Sequence, residues 1–219
     1  MSLALDQRHE LLAEWDALCA RLRPDGVPPA MQSLGASLLR HWQRWPRRYH
    51  DGRHLLACVR AAARHREALA QPGAVAWALW FHDAVYWPWK RDNEARSADW
   101  AHDAALRCGL GAGFADTVRA LVMDTCHGVQ PAPGDAAWLV DIDLGILGQS
   151  PETYARYAAD VRREYFWIPR RRFAAGRQAV LRGFIARPSI YTTLDFRNRF
   201  EAQARANLAA EIERLQAAV

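Results

Sequence analysis

A histidine and an aspartate stand side by side within the otherwise apolar run ALWFHDAVY, residues 78–86. Ionisable groups enter apolar surroundings at a cost, so His82 and Asp83 need a compensating partner. A divalent cation is one such partner, because imidazole and carboxylate are both good ligands and the cation neutralises the carboxylate. An arginine such as Arg91 or Arg96 is the other. The dipeptide alone therefore leaves a metal site and a buried ion pair open.

Two further segments place ionisable groups beside apolar residues. In RRYHDGRHLL, His50 and His54 are four residues apart, so on a helix they would share one face and could meet one ligand. Two hydrogen-bonded structural histidines would also explain that pair. In WLVDIDL, Asp141 and Asp143 would point to nearly opposite sides of a helix, so we expect one of them to face a shared site. One metal centre would offset the cost in all three segments together.

The elements that carry these segments are predicted to be helices nearly throughout. Apolar residues recur at helical spacing, Ser150-Pro151 is typical of a helix start, and no alternation of period two is long enough for a sheet. The pattern predicts an all-α single domain over 1–219, with a metal-site core at about 48–147 and C-terminal helices at 150–217 that pack on it. The predicted helices cover 3–22, 28–45, 51–70, 73–83, 92–108, 114–126, 136–147, 150–165, 169–187 and 194–215.

Composition narrows the class of protein. The 219 residues are 51% hydrophobic and 24% charged, which is typical of a globular protein. The net charge is only +5 and no nucleic-acid-binding motif is present, so a nucleic-acid partner is not expected. The charged start MSLALDQRHELL and the lack of a long apolar stretch predict a cytoplasmic protein without a membrane span. No CxxC pair occurs, which predicts reduced thiols at Cys19, Cys58, Cys108 and Cys126.

The ordered set of His54, the pair His82-Asp83 and a later Asp141 or Asp143 resembles the HD-domain superfamily of metal-dependent phosphohydrolases. Within it, the chain is similar to the bacterial group of predicted HD phosphohydrolases. The resemblance implies the HD fold, a helical bundle, and hydrolysis of a small phosphate ester, in the first place a nucleotide. The segments that carry it span most of the chain: RRYHDGRHLL, ALWFHDAVY, DNEARSADWA, DIDLGILG, YARYAADVRREY and ARANLAAEIERL.

Roles for individual residues follow from the same resemblance. The family's usual first segment is Tyr-His-Asn-x-x-His, and this chain has Asp51 where the asparagine usually stands. That segment is similar to the signature of cyclic-nucleotide phosphodiesterases, which implies a metal ligand at His54 and a general acid at His50. Asp83 would both bind the metal and orient the attacking water. The implied ligands of a Mn, Fe, Co, Ni, Zn or Mg ion are His54, His82, Asp83 and either Asp141, which we slightly prefer, or Asp143.

Three more residues are candidates for a second metal or for the substrate. Other HD domains often have a histidine where His127 stands, although a helix C-cap would also explain it. Arg96 could clamp a phosphate next to Glu94, or form a surface ion pair.

Ten tryptophans and apolar helix faces leave room for a homodimer. The alternatives to hydrolysis are an HD-fold di-iron oxygenase, with His50 and His127 as extra ligands, and a non-catalytic nucleotide-binding sensor with a structural metal.

Overall fold

Helices make up the regular structure of this chain. The computed structural model describes residues 3–126, 128 and 130–217, and the all-α prediction is confirmed there, since these residues contain no strand. Single 3-10 turns lie at Arg66–Ala68, Asp124–Cys126 and Leu144–Ile146. The α-helices among the described residues are α1 (Leu5–Leu22), α2 (Pro29–Trp42), α3 (Gly52–Arg64), α4 (Pro72–Phe81), α5 (Asn93–Arg107), α6 (Ala112–Met123), α7 (Asp135–Asp143), α8 (Pro151–Glu164), α9 (Arg170–Ile185) and α10 (Leu194–Ala217).

Helix starts follow the capping chemistry of the sequence. The Ser150 side chain accepts a hydrogen bond from the backbone N–H of Thr153, and Pro151 takes the first position of α8, so the predicted start is confirmed. The Asp51 carboxylate accepts the N–H of Arg53 at 2.8 Å and thereby caps α3. Because a capping residue lies outside its helix, α3 starts at Gly52 and His50 is not part of it.

Two helices differ from their predicted extents near the histidines. Helix α3 ends at Arg64, well short of residue 70, and a 3-10 turn follows. Helix α4 ends at Phe81, so the prediction that it runs through Asp83 is wrong. The N–H of His82 still donates to the carbonyl of Ala78, but the N–H of Ala84 reaches back only three residues, to Phe81, which tightens the chain into a turn. His82 and Asp83 therefore follow the helix.

The chain divides between Val140 and Asp141 into two compact units. In the first unit, α4 is buried on all sides and packs against α1, α3, α5 and α6. Its Trp77 and Trp80 rings contact Trp15 of α1, with ring centroids 5.3 and 5.0 Å apart. The indole N–H groups of Trp15 and Trp77 donate to backbone carbonyls, so these large side chains bury no unpaired donor. The segments that precede and follow α4 in the sequence are thus anchored to a well-packed core.

The second unit is held by buried polar groups as well as by apolar packing. Arg177 of α9 donates to the Glu211 carboxylate of α10 at 2.9 Å, and the Tyr154 hydroxyl of α8 donates to the same carboxylate. Burial and then the Glu211 charge raise the pKa of Tyr154, which keeps its hydroxyl a donor. Asn207 donates to the carbonyls of Leu147 and Gln149. These bonds fix α8, α9 and the preceding turn against α10.

The domain prediction is not tested by this division. A single domain over 1–219, with a core at 48–147 and helices of 150–217 packed on it, stays a prediction, and so does the HD fold. None of the described helices combines the length and the apolar character needed to cross a membrane.

Candidate metal centre

Two buried histidines from separate elements face each other in the first unit. The Nε2 atom of His54, on the first turn of α3, lies 3.2 Å from the Nε2 atom of His82, just after α4. The side chains are nearly inaccessible, with 6% of His54 and 1% of His82 exposed. The Trp42 ring covers both imidazoles, at centroid distances of 6.1 and 5.2 Å. The structure therefore brings together two of the residues that the sequence singled out, His54 and His82.

The hydrogen-bond partners of the two Nδ1 atoms indicate which ring nitrogens carry a proton. His82 Nδ1 lies 2.9 Å from the carbonyl oxygen of Leu79, which can only accept, so we assign the proton of the neutral ring to Nδ1. The Nε2 lone pair of His82 then points at His54. His54 Nδ1 lies 3.1 Å from the Tyr49 hydroxyl, which can donate or accept. The pair can therefore share a proton or offer both lone pairs to one cation.

The separation of the two nitrogens fits one cation. Two ligand atoms 3.2 Å apart, each at the usual distance of about 2.1 Å from a metal, subtend an angle of roughly 100°. That value lies between the ideal tetrahedral and octahedral angles. A carboxylate oxygen of Asp83 lies 3.5 Å from the same His82 Nε2, which is also compatible with a shared ion. His54, His82 and Asp83 thus form a donor set that suits a divalent cation.

The position of Asp83 explains how a carboxylate is accommodated beside an apolar helix. Its side chain is 15% exposed, so it reaches the edge of the site and is not sealed inside the helix core. In the part of the chain that the structure describes, no arginine pairs with its carboxylate, and both Arg91 and Arg96 are exposed. Arg47 instead takes the backbone oxygen of Asp83. Among the described residues the ion-pair interpretation therefore has no arginine partner for Asp83, and the carboxylate stays a candidate metal ligand.

Cys58 is a neighbour of this pair that the sequence interpretation missed. The thiol is 1% exposed and belongs, with both histidines, to a group whose potential ligand atoms lie within 4.8 Å of one another. Its Sγ atom lies 3.7 Å from Nε2 and 3.8 Å from Nδ1 of His54. An atom that shares a cation with Nε2 must lie clearly closer to Nε2 than to Nδ1, because the lone pair points away from the ring. Cys58 therefore packs beside the imidazole. Its spacing of four residues from His54 was the available signal.

Replacing Cys58 by alanine is expected to leave metal binding nearly intact. Removing a buried sulfur should lower the free energy of unfolding by about 1 kcal/mol through lost packing, with metal affinity changed by less than about threefold. Elemental analysis and urea unfolding of the variant test this. Cys19→Ala is the matched control, because Cys19 is equally buried, on α1. Loss of the metal in Cys58→Ala alone would make the thiol a ligand.

His50 lies beside the histidine pair, but not as the helical spacing suggested. His50 precedes α3, which starts after its cap Asp51, so the two histidines do not stand on one helix. Its ring nevertheless lies 6.1 Å from the His54 ring and stacks on Tyr86 at 4.4 Å. The side chain is half-buried. His50 is therefore accessible at the edge of the site, where a group that exchanges protons with a substrate must be.

A buried arginine ties the His50 segment to the turn after α4. Arg47 donates to the carbonyl of His50 at 2.7 Å, and to those of Asp83 and Ala84 at 2.6 and 3.1 Å. Its guanidinium also lies 5.2 Å from the ring centroid of Tyr86. The sequence interpretation missed Arg47, because an arginine next to a charged segment is typical of a surface. It fixes two candidate site residues through their backbones.

Asp51 has a local structural role. Besides capping α3, the carboxylate forms an ion pair with Arg53, at 2.8 Å. Aspartate and asparagine cap helices about equally well, and the negative charge also favours the helix N-terminus. Asp51 thus keeps the start of α3, and with it His54, in place.

Two of the three secondary candidates lie on α5. Arg96 is exposed on α5, and Glu94, on the same helix, is half-buried. Burial and the neighbouring Glu94 charge raise the pKa of Cys126. His127 lies outside the described residues.

The two late aspartates belong to the second unit. Asp141 is completely buried, and its carboxylate accepts three hydrogen bonds, two from the N–H of Thr192 at 2.9 and 3.1 Å and one from that of Thr193 at 2.7 Å. Burial raises the pKa of Asp141, while the N–H donors oppose that rise. Asp143, the last residue of α7, is half-buried.

Comparison with known proteins adds no relative: no family model matches the chain, and no curated protein or solved structure matches it significantly.

Proposed function

We propose that this chain is a metal-dependent phosphohydrolase that acts on a small phosphate ester, with nucleotides as the first substrate class to test. The observation that supports this most is the pair of buried imidazoles whose Nε2 atoms lie 3.2 Å apart beside an accessible carboxylate. Catalytic metal sites need such a donor set with room left for water and substrate. The proposed ligands are His54, His82 and Asp83, with Asp143 as the candidate that the late sequence segment supplies.

Asp143 is our choice for the ligand from the late segment, in place of Asp141. Both oxygens of Asp141 already accept N–H bonds inside the second unit, and these bonds hold the start of α10. A carboxylate that gave them up to bind a cation would leave buried donors unpaired. Asp143 follows two residues later, and a helix points the two side chains to nearly opposite sides.

The proposed chemistry divides between the cation and the side chains. A divalent cation held there would lower the pKa of a bound water and polarise a phosphoryl group. Asp83 accepts a hydrogen bond from the attacking water and so orients it. His50 donates a proton to the leaving oxygen, a role that suits a side chain whose ordinary pKa lies near neutrality. The Tyr86 ring stacks on His50 and limits the directions in which it can donate.

The test combines metal analysis with a substrate panel. The purified chain is loaded with Mn, Co, Ni, Zn, Mg or Fe, freed of excess metal, and assayed with nitrophenyl phosphate esters, nucleoside monophosphates and cyclic nucleotides. The proposal expects about one bound metal per chain and metal-dependent release of phosphate or of the leaving alcohol. A chain that binds no metal tightly would contradict it.

Two other outcomes would favour the alternatives from the sequence. Two tightly bound irons with oxygen-dependent turnover would indicate an oxygenase. Tight nucleotide binding by the fully loaded chain, without turnover of any ester, would indicate a sensor. Each result contradicts hydrolysis while leaving the histidine site intact, so the metal assignment and the reaction are judged separately.

Asparagine variants of the two late aspartates are expected to separate their roles. Asp141→Asn should lower the free energy of unfolding by about 1–3 kcal/mol, because the amide turns an N–H₂ group toward buried N–H donors. Asp143→Asn should lower metal affinity by at least about tenfold. Urea unfolding without metal and titration with Co(II) measure the two effects. The reverse pattern would make Asp141 the ligand.

A further inference from the structure

The second unit contains an arginine-rimmed cavity that the proposed reaction does not use. It is a shallow cavity open to solvent, has a volume of about 610 Å³ and lies among α8, the turn after it, α9 and the end of α10. Cavities that bind small organic molecules are usually about 300–1,000 Å³. All the residues that line it belong to the second unit, so its shape is set by that unit alone.

The interior of the cavity is apolar. Alanines of α8, among them Ala155 and Ala159 one turn apart, leave open space because their side chains are short. Phe173 and Leu215 add larger apolar side chains to the lining. The ring of Phe166 stands at the edge with 59% of its surface exposed. An apolar surface of this size gains free energy when a ligand's hydrocarbon body covers it.

The rim is strongly positive. Arg162, Arg163, Arg170 and Arg214 line the cavity, and Glu211 is the one acidic residue among the described residues that do so. Glu211 forms an ion pair with the buried Arg177, so it does not neutralise the rim.

The arginines of the rim differ in their hydrogen-bond and ion-pair partners. Arg163 pairs with Asp160 at 2.7 Å, and Arg162 donates to the carbonyls of Tyr165 and Ile168. Within the described residues, Arg170 forms no hydrogen bond or ion pair through its side chain, and Arg214 donates only to the carbonyl of Ala210. The guanidinium groups of Arg170 and Arg214 are exposed and keep donors for an anionic ligand.

We infer that this cavity binds an amphipathic organic anion: an alkyl or aryl body that fills the apolar interior, with a carboxylate, phosphate or sulfonate head that Arg170 and Arg214 bind at the rim. An apolar body alone would leave the guanidinium groups unused. A small inorganic anion would leave the apolar surface exposed to water. Both features therefore point to a ligand that combines the two chemistries.

The test uses anilinonaphthalene sulfonate as the probe, because it joins an aromatic body to a sulfonate. Calorimetry and fluorescence on the full chain should give one saturable site, and octyl phosphate should compete for it while inorganic phosphate and octanol compete far less. Arg170→Gln and Arg214→Gln should each weaken binding roughly threefold to tenfold. Ala159→Phe, which fills the cavity from an exposed position, should weaken it more than about tenfold.

Arg182→Gln is the matched control, since Arg182 is exposed on α9 and does not line the cavity. It should bind the probe as the unaltered chain does. Equal binding by all the variants, several weak sites per chain, or competition by octanol as strong as by octyl phosphate would each overturn the inference. Circular dichroism and unfolding of each variant show that it is folded, so a loss of binding reports on the cavity.

Discussion

Replacing His82 by alanine is expected to abolish metal binding and the proposed hydrolysis. Even residues that only orient metal ligands cost 10–100-fold in affinity or activity when they are removed, so loss of a ligand should cost more than about 100-fold. The imidazole also fills buried space under Trp42, so the variant should lose roughly 1–3 kcal/mol of stability as well. His54→Ala should behave similarly, because either ring alone leaves the cation one imidazole.

Metal content by elemental analysis is the first measurement, and turnover of the best substrate is the second. His82→Gln serves as a variant of similar volume, in case the alanine variant unfolds. His9→Ala is the matched control, because His9 is exposed on α1 and far from any candidate ligand in the sequence. If His82→Gln were folded and bound metal as tightly as the unaltered chain, the site would be wrongly assigned.

Replacing Arg47 by methionine is expected to have the largest effect on stability. Three carbonyl oxygens, those of His50, Asp83 and Ala84, lose their donor at once. Each buried acceptor left without a partner costs about 1–3 kcal/mol, so we expect a loss of about 3 kcal/mol or more. The proposed turnover should fall too, because the backbones that carry His50 and Asp83 lose their common anchor.

Urea unfolding gives the free energy of unfolding, and turnover is measured well below the transition. Arg44→Met is the control, because Arg44 is exposed a few residues before Arg47. Arg47→Lys adds a second comparison, since lysine keeps the charge but cannot span three carbonyls with a planar fork of donors. A change below about 0.5 kcal/mol in Arg47→Met would contradict the anchoring role.

Much of the fold was predictable because it rests on local chemistry. The apolar run that forms α4 has no polar face, so it had to be buried, and Ser150-Pro151 started α8 where predicted. The end of α4 was not predictable from its own residues. The turn that follows it is held by Arg47, more than thirty residues earlier, which donates to the backbone oxygens of Asp83 and Ala84. Local patterns carry no information about such a distant donor.

The candidate site was predictable in part for a similar reason. Histidines in apolar surroundings are conspicuous, so His54 and His82 could be paired from sequence. Arg47 could not, because arginine usually lies at the surface. Cys58 offered a signal in its spacing of four residues from His54, but a single thiol usually fills a core. Our proposal of Asp143 in place of Asp141 rests on the N–H groups of Thr192 and Thr193, about fifty residues away along the chain.

The hydrogen bond from His82 to the Leu79 carbonyl has a consequence for the energetics of metal uptake. A carbonyl in the last turn of a helix has no helical partner, and here the imidazole that follows the helix occupies it. The ring's rotation is therefore frozen during folding, and its rotational entropy is lost then and not when the cation arrives. The end of α4 thus preorganises the His82 imidazole as a metal ligand. The affinity for the ion rises because part of the ordering cost is already met by the folding free energy of the chain.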